Sequence, residues 1–289
     1  MVWQHLLRNW LREQAAGQLG RAARDAAVKA RQPDTDAADP QKRDRCHVGL
    51  VFSSKAEAGG VVDRLRAAYT TQGTWTVVEG GLGGRRVAVV RTDPKAAAAA
   101  TRALIEGHAP AWIIAAGFCT ALQEGLQRGD VLVANSISDP AGRRLSIDVQ
   151  LPTSGSQQRP VVRTGRLLTT DRDLDQPALR AQLGQQHDAL AADTTSLAVA
   201  EVCRGQDVRC LVIKIVQYAI EDRGLRERKA VRRQASLAGR LGAATGALIR
   251  RPGSAKDFLE EQQQALTLAD RLAVFLEGVV KQLARGPAA

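Results

Sequence analysis

Residues 192–221 read ADTTSLAVAEVCRGQDVRCLVIKIVQYAIE. Small and apolar residues recur at helical spacing from Ser196 to Cys203. The polar stretch Arg204–Asp207 then leads into the apolar run Val208–Val216. A helix followed after a short turn by a buried strand is the repeating unit of α/β proteins.

Working outward, the same alternation recurs on both sides of this unit. Residues 47–54 (HVGLVFSS) read as a short apolar strand, and a helix is predicted over Glu57–Tyr69. Thr76–Glu79 and Arg85–Val90 form a hairpin around the turn GGLGG, and Lys95–Gly107 is an Ala-rich helix. Ala111–Ala116 and Asp130–Ser136 read as strands, Pro160–Thr169 as a further strand and Gln176–Gln186 as a helix. The final helix is predicted over Phe258–Leu283, with Asp257 as its N-cap and Leu259, Leu266, Leu272, Phe275, Val279 and Leu283 on its apolar side. Strands alternating with helices predict an α/β sandwich.

Several motifs carry a resemblance. AWIIAAGFCTALQEGLQRGDVLVA (111–134) matches a strand, a Gly-rich turn and the pattern L-x-x-G-D-V-V-V-A. VGLVFSS followed by Lys55-Ala56-Glu57 looks like I-G-I-I-x-A-M-E-x-E, and TGRLLTTDRDL (164–174) looks like G-x-I-x-S-G-D-x-F-I. With the 192–221 unit, these make the chain resemble the nucleoside phosphorylase superfamily, nearest to the methylthioadenosine/S-adenosylhomocysteine nucleosidases, from about Cys46 to Asp222. The resemblance implies a three-layer α/β/α sandwich with a mixed central sheet. It also implies a nucleoside-like ligand, cleavage of an N-glycosidic bond, a homo-oligomer and no metal or organic cofactor.

Cleaving a purine N-glycosidic bond needs a carboxylate to take a proton from water and an acid to protonate the leaving base. By the resemblance, Glu57 falls on the base and Tyr218 on the position of the acid, where the family has Asp. A phenol, with an unperturbed pKa of about 10, is a far weaker acid than a tuned carboxyl. Thr194 and Thr195 stand where a Met-Glu pair grips ribose, and Asp173 where a Phe stacks on the base. Phe118-Cys119-Thr120-Ala121 replaces a turn of small residues, and Asp93-Pro94-Lys95 replaces a Gly-rich anion loop. Thr92, Gly117, Phe118, Asp171, Asp173, Thr194 and Thr195 are therefore the candidate ligand-binding residues, with Glu57 and Tyr218 the candidate catalytic pair. Substitutions at so many positions around one pocket predict weak or lost cleavage. The rival expectation is a non-catalytic scaffold or ligand-sensing module.

From the residues alone, Glu57 also reads as a first-turn helix acid complementing the helix dipole, and Asp130 as a turn cap before a strand. His108 and His187 read as solvated helix-end residues. The turn GGLGG lacks a following helix and fails as a dinucleotide fingerprint.

Composition sets outer bounds. The 289 residues are 44% hydrophobic and 3% aromatic, enough for one sizeable core built from Leu, Val, Ile and Ala. The formal net charge of +11 favours anionic partners, although an arginine-biased composition gives the same excess. Cys46, Cys119, Cys203 and Cys210 show no CxxC spacing and the four histidines are scattered, so free thiols and no zinc site are expected. No signal peptide is visible, and the longest apolar run, Ala109–Leu122, is too short to span a bilayer, so a cytoplasmic protein is expected.

Residues 1–31 read as an amphipathic helix striped by Trp3, Leu6, Leu7, Trp10 and Leu11, and 32–45 as a linker. Residues 46–289 form the phosphorylase-like domain, with a basic helical insertion at about 223–256 holding ten basic residues and only Glu227 as an acid. The Trp3/Trp10 stripe can dock on the domain or on a second subunit. Alternatively, with the basic segment, it can lie on an anionic membrane surface. Missing interleaved aromatics argue against nucleic acid.

Overall fold

A computed structural model of the chain describes residues 46–149, 160–222 and 254–283. The expected N-terminal helix (1–31), the linker (32–45) and residues 223–253 of the basic insertion lie outside the described residues. Ten strands form one mixed sheet, with helices on both faces, in agreement with the expected α/β/α sandwich. Among the described residues, no helix is long and apolar enough to cross a membrane.

The chain opens with β1 (Val48–Phe52), buried along its whole length and flanked by two parallel neighbours, β4 (Arg85–Arg91) and β5 (Trp112–Ala121). A strand buried on both faces reads as a continuous apolar run rather than an alternating one. Helix α1 (Lys55–Val62) follows at once, capped by the Ser54 hydroxyl, which accepts from the Glu57 amide. The predicted helix over Glu57–Tyr69 is thus too long. Gly59 and Gly60 weaken it, Asp63 caps its end, and β2 (Arg66–Thr71) turns back as an exposed edge strand on β3 (Val77–Leu82). The GGLGG turn is also shorter than expected. Gly80, Gly81 and Leu82 continue β3, and only Gly83 and Gly84 turn, both at positive φ.

A 3₁₀ turn at Pro94–Ala96, capped by Asp93, leads into α2 (Ala97–His108). Further correction falls on β5. The expected turn at Phe118–Ala121 is strand, and β5 continues ten residues to Ala121. Its first half pairs with β1, and its end pairs with β9 (Ala191–Asp193). Along its other edge runs β10 (Arg209–Tyr218), parallel and in register from Arg209↔Trp112 to Val216↔Cys119. β10 also meets β6 (Val131–Ser138), which joins β8 (Val162–Thr169) and through it β9. β5, β10, β6, β8 and β9 therefore close into a ring at one end of the sheet, while β1, β4, β3 and β2 extend it as an open wing. The short strand β7 (Arg144–Ser146) pairs with β6, and neither it nor β9 was expected from the sequence.

One face carries α1 and the last helix, α5 (Ser254–Leu283); the other carries α2 and α4 (Ser196–Gly205), with α3 (Pro177–His187) covering Leu122, Leu168 and Leu174 beyond the ring. α5 begins at Ser254, so Asp257 lies inside the helix and not at its cap. Its buried side runs through Leu268, Leu272, Phe275, Leu276, Val279 and Val280, whereas Leu266 is exposed, contrary to expectation. Each such burial contributes roughly 1.5–3 kcal/mol. Close approach of α1 and α5 depends on Gly60, where a Cβ would sit 2.5 Å from the Ala269 carbonyl oxygen.

Candidate functional site

The end of β1, the middle of β5, the end of β9 and the second half of β10 meet where the ring closes. Ser53, the first residue past β1, and Glu57, in the first turn of α1, form the first wall. Glu57 is buried although it is an acid. Its Oε2 accepts from the Ser53 amide at 2.9 Å and the Ser53 hydroxyl at 2.6 Å, and its Oε1 accepts from the Phe118 amide at 3.2 Å. Ser54 and Glu57 have the spacing of a capping box, but the carboxylate reaches back to Ser53 and across to β5. Gly117 permits this approach. Its φ is +136°, and a Cβ there would lie 2.9 Å from Glu57 Oε2. Glu57, Gly117 and Phe118 are thus brought into direct contact.

The second wall is a buried ion pair. Lys214 Nζ lies 3.0 Å from Asp193 Oδ2 and donates to the Ala116 carbonyl at 3.2 Å. Asp193 also accepts from the hydroxyls of Thr169 (2.9 Å), Thr195 (3.3 Å) and Ser196 (2.6 Å) and from the Ser196 amide at 3.1 Å. Burial alone would raise the Asp193 pKa. The Lys214 charge and the hydrogen bonds from Ser196 and Thr169 outweigh it and hold this carboxyl below the usual range. Between the two walls, burial pushes the Cys119 thiol up, and Lys214, Asp193 and Glu57 all act on it electrostatically. Three charged side chains therefore surround residues 116–119 of β5.

Tyr218 sits at the end of β10, just past a bulge, with its ring buried. Its hydroxyl donates to Glu261 of α5 at 2.5 Å. Arg180 of α3, fully buried, donates to the carbonyls of Ala219 (2.7 Å) and Ile220 (2.9 Å) just beyond it, and to those of Leu174 (2.6 Å) and Asp175 (3.2 Å). Thr92 is buried past the end of β4, its amide donating to Phe52 O and its hydroxyl to Asp93 O. Thr195 is drawn in by Asp193, whereas Thr194 is exposed. Asp171 and Asp173 lie exposed on the loop after β8, which starts beside Asp193 through the Thr170 amide.

Sequence reasoning missed Ser53, Asp193 and Lys214. A lysine inside an otherwise apolar strand is the one signal that pointed to the pair, because such a charge needs a partner. His108 is not simply solvated: its Nδ1 lies 3.6 Å from the buried Glu79. Asp130 caps as expected, accepting from the amides of Gln127 and Val161. Among the described residues no cluster of His, Cys, Asp and Glu could hold a metal ion.

A phosphorylase superfamily model matches residues 48–244, and the chain belongs to that superfamily. Solved structures with the same fold include three 5'-methylthioadenosine/S-adenosylhomocysteine nucleosidases. That from Neisseria meningitidis, in complex with methylthio-immucillin-A, is 16% identical over 81% of this chain and 98% of its own, with a TM-score of 0.59. That from S. pneumoniae, with a transition-state inhibitor, is 16% identical over 82% and 99%, with a TM-score of 0.59. That from Campylobacter jejuni is 11% identical over 82% and 99%, with a TM-score of 0.60. No curated protein matches the chain in sequence.

Proposed function

We propose that this phosphorylase-superfamily chain binds a nucleoside-type ligand at the β1–β5–β9–β10 junction and cleaves its N-glycosidic bond slowly or not at all. The observation that carries this reading is the engagement of Glu57. An ionised carboxylate offers about four acceptor positions. Three are used internally, by the Ser53 amide, the Ser53 hydroxyl and the Phe118 amide. One position on Oε1 is left for a water. Glu57 is therefore a hindered base.

The rest of the junction supports the same reading. Asp193 is neutralised by Lys214 and fully hydrogen-bonded, so it offers little to a ribose hydroxyl. Thr194 and Thr195 bring no carboxylate. Tyr218, at the position of the acid, spends its proton on Glu261. General acid and base groups contribute roughly 10²–10⁴-fold each, and a site short of both falls far below the ordinary turnover of about 1–10³ s⁻¹.

Recognition of nucleosides in the structural neighbours comes to this chain as part of the proposal: the Neisseria protein was solved with methylthio-immucillin-A. The test is purine release from methylthioadenosine, S-adenosylhomocysteine, adenosine and inosine, with and without phosphate. It is run beside calorimetric binding of methylthio-immucillin-A to wild type and Glu57→Gln. Binding with release near background supports the reading. Glu57-dependent release above about 1 s⁻¹ overturns the loss of chemistry, and absence of binding overturns the ligand class.

A further inference from the structure

A cleft of about 500 Å³ is lined by α1 and α5. Its size lies within the range of small-molecule sites. We infer that it is a second ligand site, for a small aliphatic carboxylate. The floor is apolar: Ala58 and Val62 of α1, Val78 of β3, and Ala265 and Leu266 of α5. Leu266 is 59% exposed there, one of the few large apolar side chains left uncovered among the described residues.

The charges are arranged by the ends of α1. Lys55 opens the helix, and Arg91 ends β4 directly beside Phe52 of β1, so both cations stand at the same mouth. Among the described residues neither side chain has an ion-pair or hydrogen-bond partner, although both line the cleft. Asp63 lines the opposite end, where it caps α1. Eight helical residues separate the two ends by about 12 Å. An anionic head is drawn to Lys55 and Arg91, repelled from Asp63, and leaves an aliphatic tail along the trough. Glu261, which accepts from Tyr218, also lines the cleft. Its charge opposes a doubly charged phosphate more than a singly charged carboxylate, which selects the monoanion.

Gly59 supplies a clean test, because it lines the cleft and a Cβ there meets nothing within 4 Å. A leucine at this position fills the trough and is a better helix former than glycine. The probe is decanoate, titrated calorimetrically into the full chain, with acetate and decyltrimethylammonium as controls. Saturable one-to-one binding of decanoate alone is expected. Arg91→Gln should weaken it roughly tenfold, by loss of a charge-assisted contact. Gly59→Leu should abolish it while far-UV circular dichroism holds and the melting temperature does not fall. No saturable binding up to about 1 mM, equal binding of the cationic control, or undiminished binding by either Gly59→Leu or Arg91→Gln would overturn the inference.

Discussion

Lys214 and Asp193 show what a single residue can demand of its surroundings. A buried ammonium costs several kcal/mol unless a charge and hydrogen bonds meet it. Here one carboxylate oxygen, one carbonyl and three hydroxyl-bearing neighbours are spent on the pair. Removing one partner leaves the other uncompensated, so Lys214→Met should lower unfolding stability by about 3–5 kcal/mol. Lys214→Met with Asp193→Asn should cost less than the sum of the single changes, as read by urea denaturation. The pair also sets a pH dependence. The folded Asp193 carboxyl is held below its unfolded value of about 3.9. Its contribution is therefore complete above about pH 4 and is lost as pH falls through the lower folded value. Denaturation midpoints of wild type and Asp193→Asn should converge below pH 4 and separate above it. A constant separation between pH 3 and 7 would remove Asp193 as the cause.

At the scale of elements, the neighbouring glycines of α1 predict opposite outcomes. Gly60 faces the α5 backbone, and a Cβ would lie 2.5 Å from Ala269 O. Gly60→Ala should therefore force the helices apart at a cost of about 1–3 kcal/mol. Gly59 faces open space, so Gly59→Ala should stabilise by about 0.4–1 kcal/mol through helix propensity and a less flexible unfolded chain. Thermal melts of the two variants should move in opposite directions. Which glycine faces α5 could not be read from the sequence, since the two are adjacent and identical. The same limit explains the helix predicted through Tyr69. RAAYTT is a strand because β3 offers it an edge, a tertiary preference that overrides local pattern. The helix–strand unit at 192–221, the strand at 47–54, α2 and most of α5 were legible, because long apolar runs or stripes mark them. Of the site, Glu57 was legible only through the resemblance of VGLVFSS and Lys55-Ala56-Glu57 to the family motif; from spacing alone it read as a first-turn helix acid. Gly117 was named for ligand binding beside an expected turn, because nothing local announces that β5 passes through a positive φ there and continues to Ala121. Lys214 stood in plain view in its strand, yet its partner ends β9, a strand that β5 separates from β10.

Across the whole molecule, closure of the ring puts loops distant in sequence side by side, and Arg180 is the side chain that ties them. It is fully buried on α3, and four backbone carbonyls take its guanidinium: those of Leu174 and Asp175 after β8, and those of Ala219 and Ile220 after β10. Burial draws its pKa down, and the acids nearby, Asp222 first and then Asp175 and Glu221, oppose that shift. Among the described residues no carboxylate takes the guanidinium as a direct partner, so its main function is to satisfy carbonyls that would otherwise be buried without donors. Those two loops carry Asp173 on one side and follow Tyr218 on the other, so the rim of the proposed pocket is held by a residue outside it. Arg180→Met keeps much of the aliphatic volume and removes every donor. It should cost about 3 kcal/mol or more, since several acceptors lose their partner at once. The loss should also be local. Amide hydrogen exchange should accelerate across 172–176 and 218–222 while the α1–α5 face stays protected. Uniform acceleration over the whole sheet would instead make Arg180 part of the global core, with no particular hold on the pocket rim.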